Sequence, residues 1–319
     1  MTSRPFPRTG GLVAFTLAAA TVALAAPPAA RAQRQVPPRP EATSLLGTPL
    51  YALPDTTGAL PKSDSALARH PRNIDTLLAA AAARAGLWRY RDAITLYTKG
   101  MAIAPRDARL YRFRGHRYIS LRRFGDAVRD LRRGWQLDSM SYDIAYHLGL
   151  AYYMQGDFKR AAAVLDTCMG YATNERALAI DTAARRGFKS CTTVATNDED
   201  RVGMAEWRYR ALLRAGRAAD ARRLLEEIPA TLPIRENGAY YQDLLISKGA
   251  KTEAAVLDSL AGNVLQRATA AYGIAVRHLV AGDTTRARAS FEENAKVSWW
   301  PAFGVIGSEV ELARLRAKR

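Results

Sequence analysis

One spacing constrains this chain more than any other feature. Ala93, Ala127 and Ala161 recur at equal intervals, each inside the same apolar pattern. The third copy is the clearest: Leu148-Gly149, Tyr152, Gly156-Asp157-Phe158, Ala161 and Leu165. A fixed period of about 20 to 50 residues marks an array of stacked units, and this interval is the period of a helix–turn–helix unit. Such an array grows by stacking and has no single central core. The 319 residues therefore need not divide into the two globular domains that length alone would suggest. An interaction surface becomes the leading kind of function.

The first unit runs from about Ile74 to Asp107. It places Leu77, Ala81 and Ala85 on a first helix and Tyr90, Ala93, Ile94, Tyr97 and Met101 on a second, closed by Pro105. The second spans 108–141, with Tyr111, Gly115 and Tyr118, then Phe124, Ala127, Leu131, Gly134 and Leu137. The third spans 142–175. Apolar residues three and four apart share one helix face. Small residues at Gly115/Gly149 and Ala127/Ala161 allow paired helices to approach closely, and the aromatic at Tyr90/Phe124/Phe158 fills the space beside the turn. Residues 176–201 break the period and read as an insertion, with Asp198-Glu199-Asp200 as a solvated acidic loop. The pattern then resumes in weaker form: Gly216, Gly249 and Gly282 recur at nearly the same interval, each followed five positions later by an alanine, Ala221, Ala254 and Ala287. Three weaker units fall near 202–234, 235–267 and 268–300, the fifth carrying Lys251 where the aromatic belongs. Pro301 then starts a last helix, whose Phe303, Ile306, Val310 and Leu312 should cover the exposed end of the stack.

These residues resemble the tetratricopeptide repeat (TPR) family, over about two thirds of the chain. The resemblance implies an all-α, right-handed α-solenoid of about six helix–turn–helix units with a C-terminal capping helix, and a concave groove lined by the first helix of each unit. In the second unit the groove positions are Arg109, Arg112, His116, Ile119 and Ser120. In the third they are Asp143, Tyr146, Leu150, Tyr153 and Met154. Guanidinium groups bind carboxylates bidentately, and neighbouring aromatics supply rigid contact area. Arg109, Arg112, His116, Asp143, Tyr146, Leu150 and Tyr153 are thus candidate groove residues for an acidic or extended peptide segment. The likeness to the carboxylate-clamp members is loose, because the first unit offers Leu78 and Ala82 where that group carries polar side chains.

Residues 1–32 read as a cleaved secretory signal: Arg4 and Arg8 precede an uncharged apolar run from Leu12 to Ala26, and Ala30-Arg31-Ala32 forms a small-x-small cleavage site. The run is shorter than the roughly 20 residues of a spanning helix. The expected setting is periplasmic or extracellular. Residues 33–69 read as a Pro-rich linker, extended and without long helices, in which Leu45 to Tyr51 could dock on the first unit. Loss of Arg4, Arg8 and Arg31 with the leader takes the formal charge from +17 to +14. After export, that excess points to acidic proteins, anionic polymers or lipid headgroups and away from nucleic acid. Half of it lies in 106–133, where ten arginines face three aspartates. Their alternative role is a solvated face with pairs such as Arg129–Asp126 or Arg133–Asp130, and Arg122, Arg123, Arg132 and Arg133 are expected to point outward. Cys168 and Cys191 could form a disulfide in an oxidising compartment, or Cys168 could serve as a small apolar packing residue.

No catalytic signature is present. His70, His116, His147 and His278 have no metal-ligand spacing, and there is no nucleophile elbow, P-loop or GxGxxG. His116 reads either as a pH-sensitive groove contact or as a hydrogen-bonded residue between units. Trp299-Trp300 is expected to plug the last interface. The sequence reads as a non-enzymatic interaction scaffold of the cell envelope, without cofactor or metal. The alternative is a structural envelope protein that binds anionic polymer or membrane surface through a basic face.

Overall fold

A computed structural model describes residues 39–181, 189–194 and 196–317. The stretch read above as a secretory signal, the expected linker before Arg39 and part of the expected insertion lie outside the described residues. Six antiparallel helix pairs follow one another: α2 (Ile74–Gly86) with α3 (Tyr90–Ile103), α4 (Ala108–Ser120) with α5 (Phe124–Leu137), α6 (Tyr142–Gln155) with α7 (Phe158–Tyr171), α9 (Asp198–Arg214) with α10 (Ala218–Glu226), α11 (Gly238–Ser247) with α12 (Glu253–Ser259), and α13 (Val264–Val280) with α14 (Thr284–Asn294). Before them come a two-stranded antiparallel ribbon, β1 (Ala42–Thr43) and β2 (Pro49–Leu50), and α1 (Ala59–Arg69). The short α8 (Glu175–Asp181) lies between α7 and α9, and α15 (Phe303–Ala317) ends the array. The fold is an all-α solenoid of stacked helix pairs.

The spacing rules have direct steric causes. A Cβ at Gly115 would stand 2.6 Å from the Leu131 side chain, and one at Gly149 2.7 Å from Leu165, so each pair closes only over a glycine. Asn73, Asp107, Ser141, Asn197 and Asn263 cap the first helices of their pairs, each side chain accepting a backbone N–H of the first turn.

Two sequence expectations fail here for local reasons. The segment before the first pair contains an 11-residue helix, α1, despite Pro61. Pro61 sits in the first turn, where a missing N–H breaks no helical bond, and the Asp55 carboxylate takes up the free N–H groups of Ala59 and Leu60 at 3.1 and 2.8 Å. The acidic triplet Asp198-Glu199-Asp200 is no solvated loop. It forms the first turn of α9, where carboxylates suit the positive helix end. Asp200 is buried and paired with Lys189, and Glu199 accepts the N–H groups of Glu236 and Asn237 at the start of α11.

The largest departure concerns the C terminus. Helix α15 packs on α13 and α14 and so covers the last pair, but it also reaches back across the array. Arg314 donates to the carbonyl oxygens of Tyr153 and Met154 at the end of α6 (3.0 and 2.7 Å). Glu311 pairs with Arg214 at the end of α9 (3.0 Å). Glu309 forms a fully buried ion pair with Arg122, between α4 and α5, and accepts the N–H of Leu45 (3.0 Å). Trp300 does not plug the last interface. It lies edge-on to Trp88 and Tyr90 of the first pair (5.5 and 5.3 Å between centroids), and its indole N–H donates to the Tyr51 carbonyl (2.9 Å). The array is thus closed on itself: its N-terminal ribbon and first two turns grip its last helix.

The turn residues show how. Trp88, Arg122 and Gly156 occupy equivalent turns of successive units, and all three have left-handed backbone, as do Gly216, Gly249 and Gly282. Glycine adopts this conformation freely, whereas another L-residue loses about 1 kcal/mol there. The two turns that lack glycine carry two of the side chains that hold the C-terminal segment, Trp88 and Arg122. Arg122, expected to point outward, is buried for this reason.

Cys168 on α7 and Cys191 are joined by a disulfide, which ties residues 189–194 to the third pair. Ser190 also bridges to Ser141 at the start of α6.

Two stability measurements check this architecture. Arg122→Ala strips a buried carboxylate of its partner and should cost about 3–5 kcal/mol in denaturant unfolding. Arg122→Gly, which relaxes the turn, should recover only about 1 kcal/mol of it. Cys191→Ala should lower stability by about 3 kcal/mol through loss of the cross-link, and reductant should have the same effect on the unmodified protein but none on the variant.

Candidate binding cleft

The inner surface of the solenoid is largely filled. Helices α6, α9, α11 and α13 turn their aromatic residues toward one another: Trp207 packs edge-on to Tyr153 (5.4 Å) and lies 5.9 Å from Tyr272, and the Tyr146 hydroxyl bonds to Tyr240 (2.9 Å) and accepts the Trp207 indole N–H (3.0 Å). Beside them a buried triad joins Arg210 to Glu206 (2.6 Å) and Asp243 (2.8 Å). Gly273 makes room for it, since a Cβ there would sit 1.9 Å from the Asp243 carboxylate. Burial raises the Glu206 carboxyl to about 7 and moves Asp243 in the same direction, with Arg210 opposing both shifts.

What stays open among the described residues is a cleft of about 470 Å3 between the C-terminal half of α4 and the N-terminal ends of α6, α9, α11 and α13. Its floor and walls come from His116 on α4, Asp143, Tyr146 and His147 on α6, Lys189 and Asp200, Glu236 and Asn237, Tyr240 on α11, and Gln266 on α13. The segment Trp299–Phe303 closes one side, and Leu265 and Trp299 stand exposed on the rim (40% and 44%).

The seven candidate groove residues divide. His116, Asp143 and Tyr146 line the cleft. Leu150 and Tyr153 do not: both are buried in the packed interior because the array curls tightly enough to cover its own inner face. Arg109 is held by Asp107 and Asp75 (both 2.7 Å), and Arg112 by Asp143 (2.9 Å), so neither is a free clamp for a carboxylate. Arg114 makes a two-pronged pair with Asp130 (2.6 and 2.8 Å), which displaces the Arg133–Asp130 pair expected along α5. Arg123 and Arg129 share Asp126. The basic stretch is therefore mostly spent on internal ion pairs, and two carboxylates of the cleft are already paired, Asp143 with Arg112 and Asp200 with Lys189 (2.6 Å), while Arg117 and Glu236 also line it.

His116 and His147 lie against each other with their rings tilted by 42°, 4.3 Å between centroids, and Phe303 packs on both at 5.3 and 5.9 Å. His147 donates from Nδ1 to the Asp143 carbonyl (2.6 Å). Burial, reinforced by Arg117 and Arg112, holds both imidazoles well below the usual histidine range. Sequence reasoning gave His116 but not its partner. His147, on the first helix of the next pair, falls just off the groove positions of its repeat. The Ser120 hydroxyl bonds to the His116 backbone carbonyl and not to its ring, so no nucleophile–base pair forms there. Among the described residues no cluster of histidine, cysteine or carboxylate side chains has the arrangement of a metal site.

No protein-family model matches the chain, and no curated protein matches it in sequence. Several solved structures are similar in shape. A crystal structure of the MamA protein is 16% identical, covering 60% of this chain and 84% of that one, with a TM-score of 0.42. A tetratricopeptide repeat protein from Parabacteroides merdae is 15% identical over 80% of this chain and 76% of that one, at 0.43. YrrB, described as a TPR protein with an unusual peptide-binding site, is 14% identical over 80% and 97%, at 0.42.

The histidine pair has a pH signature. A histidine held neutral in the folded state contributes stability above its unfolded pKa of about 6.5 and loses it as the pH falls toward the folded value. Glu206 acts in the opposite direction, weakening the fold as pH rises through about 4.5 to 7. The difference between unmodified protein and a His116→Asn/His147→Asn variant isolates the imidazoles. On lowering the pH from 7 to 5, the unmodified protein should lose stability relative to the variant, by up to about 1.4 kcal/mol per pH unit for each histidine in denaturant titrations.

Proposed function

We propose that this protein is a non-catalytic interaction scaffold that acts outside the cytoplasm and holds an extended segment of a partner protein in the cleft beside Phe303. The open cleft carries this reading. It is a part of the inner surface that the side chains of the described residues do not fill, and it draws lining residues from all six helix pairs. Its lining sets three carboxylates, Asp143, Asp200 and Glu236, against Arg117 and Lys189, which disfavours the strongly acidic ligand that composition alone suggests. Its exposed rim residues, Leu265 and Trp299, suit apolar side chains on the incoming segment. The Cys168–Cys191 disulfide supports an oxidising compartment, in agreement with the secretory pattern of residues 1–32.

A second reading has an observation of its own. Arg132 and Arg133 are exposed and form no ion pair among the described residues, and Arg129 beside them is 74% exposed. This face of α5 is a candidate surface for an anionic polymer or membrane.

Affinity capture from the native envelope separates the two. Cleft binding predicts partners that are lost with Leu265→Glu or Trp299→Glu and retained with Arg132→Glu/Arg133→Glu. Surface binding predicts the reverse, together with release in high salt. An identical set of captured proteins from the Leu265→Glu variant and the unmodified protein would remove the cleft reading.

A further inference from the structure

A second cleft, of about 720 Å3, lies on the other side of the closure, where the N-terminal ribbon meets α14 and α15. It differs in kind from the first. Its floor is apolar and buried: Leu50, Trp300 and Leu312. Its walls are the half-buried Leu46, Trp88 and Val297. Its charged residues sit at the rim, except for Glu309, whose carboxylate is consumed by Arg122 and the Leu45 N–H. On the rim, Lys296 is engaged by Glu293 (2.6 Å), whereas Arg316 and, on α14, Glu292 have no oppositely charged group within ion-pair distance among the described residues. Tyr51 and Leu53 remain exposed at the opening (43% and 36%). An apolar space of this size with few polar groups at its edge is the usual form of a small-molecule site.

We propose that this cleft binds a single-chain amphiphilic acid, its apolar chain lying along Leu50, Trp88, Trp300 and Leu312 and its anionic head held by the Arg316 guanidinium. The gradient from apolar floor to charged rim fits a molecule with one apolar and one charged end. A free guanidinium is the side chain best shaped to take a carboxylate or phosphate in two parallel bonds. The two clefts share no lining residue, and this proposal does not rest on the function proposed above.

The full-length protein, titrated with decanoate below its aggregation threshold, should show saturable one-to-one binding by calorimetry, with a change in fluorescence from Trp88 and Trp300. Arg316→Ala should weaken decanoate binding at least tenfold and leave decanol binding unchanged. Leu53→Asp, at the exposed rim, should weaken both. Val280→Glu, exposed on α13 away from the cleft, should alter neither. Co-sedimentation with phosphatidylglycerol vesicles distinguishes a bilayer from a free amphiphile. Binding to vesicles without saturable decanoate binding would overturn the proposal, as would decanoate affinity that ignores both Arg316→Ala and Leu53→Asp.

Discussion

The architecture rests on a buried ion pair between residues 187 positions apart. Arg122 and Glu309 side chains are each only 2% exposed, and each is useful only because the other is present. Two desolvated charges are a weak source of net stability, but either one alone is strongly unfavourable. The pair therefore fixes where the C-terminal segment must lie more than it strengthens the fold. Around it gather the other long-range bonds: the Ser120 and Trp300 carbonyls on the Arg122 guanidinium, the Leu45 N–H on Glu309, and the Trp300 indole on the Tyr51 carbonyl. With α15 fixed there, Phe303 is brought onto His116 and His147, and the two clefts come to flank the closure.

The repeat made the helix pairs legible, because it expresses contacts between near neighbours: a glycine opposite a leucine, an alanine at a crossing, a capping residue ahead of a first turn. The closure was not legible in the same way. It depends on residues drawn from opposite ends of the chain, and no periodicity links Arg122 to Glu309 or Trp88 to Trp300. One signal was nevertheless present. The turn position filled by Gly156, Gly216, Gly249 and Gly282 holds Trp88 and Arg122 in the first two units, a departure that costs backbone energy. Residues that break a pattern at a steric expense are the ones to examine for a task beyond local folding.

The arginine-rich stretch teaches a related lesson about charge. Ten arginines between positions 106 and 133 suggest an anion-binding face, yet Arg109, Arg112, Arg114, Arg122, Arg123 and Arg129 all contact carboxylates within the molecule. Three of these carboxylates, Asp75, Asp143 and Glu309, come from other helix pairs or from α15, outside the stretch itself. Much of the local excess is thus stitching between neighbouring units. Among the seven groove positions the same principle separates His116, Asp143 and Tyr146 from Leu150 and Tyr153. Position along a helix says which way a residue points, but only the curvature of the whole array decides whether that direction leads to solvent or to another helix.

Joining the ends also changes how such a chain comes apart. In an open stack each unit touches only its neighbours, so terminal units peel away first and the remainder survives. Here the outermost units hold each other, through contacts as far apart in sequence as Leu45 and Glu309. Fraying has no free end from which to begin, and an array assembled from separable modules must melt as one cooperative body.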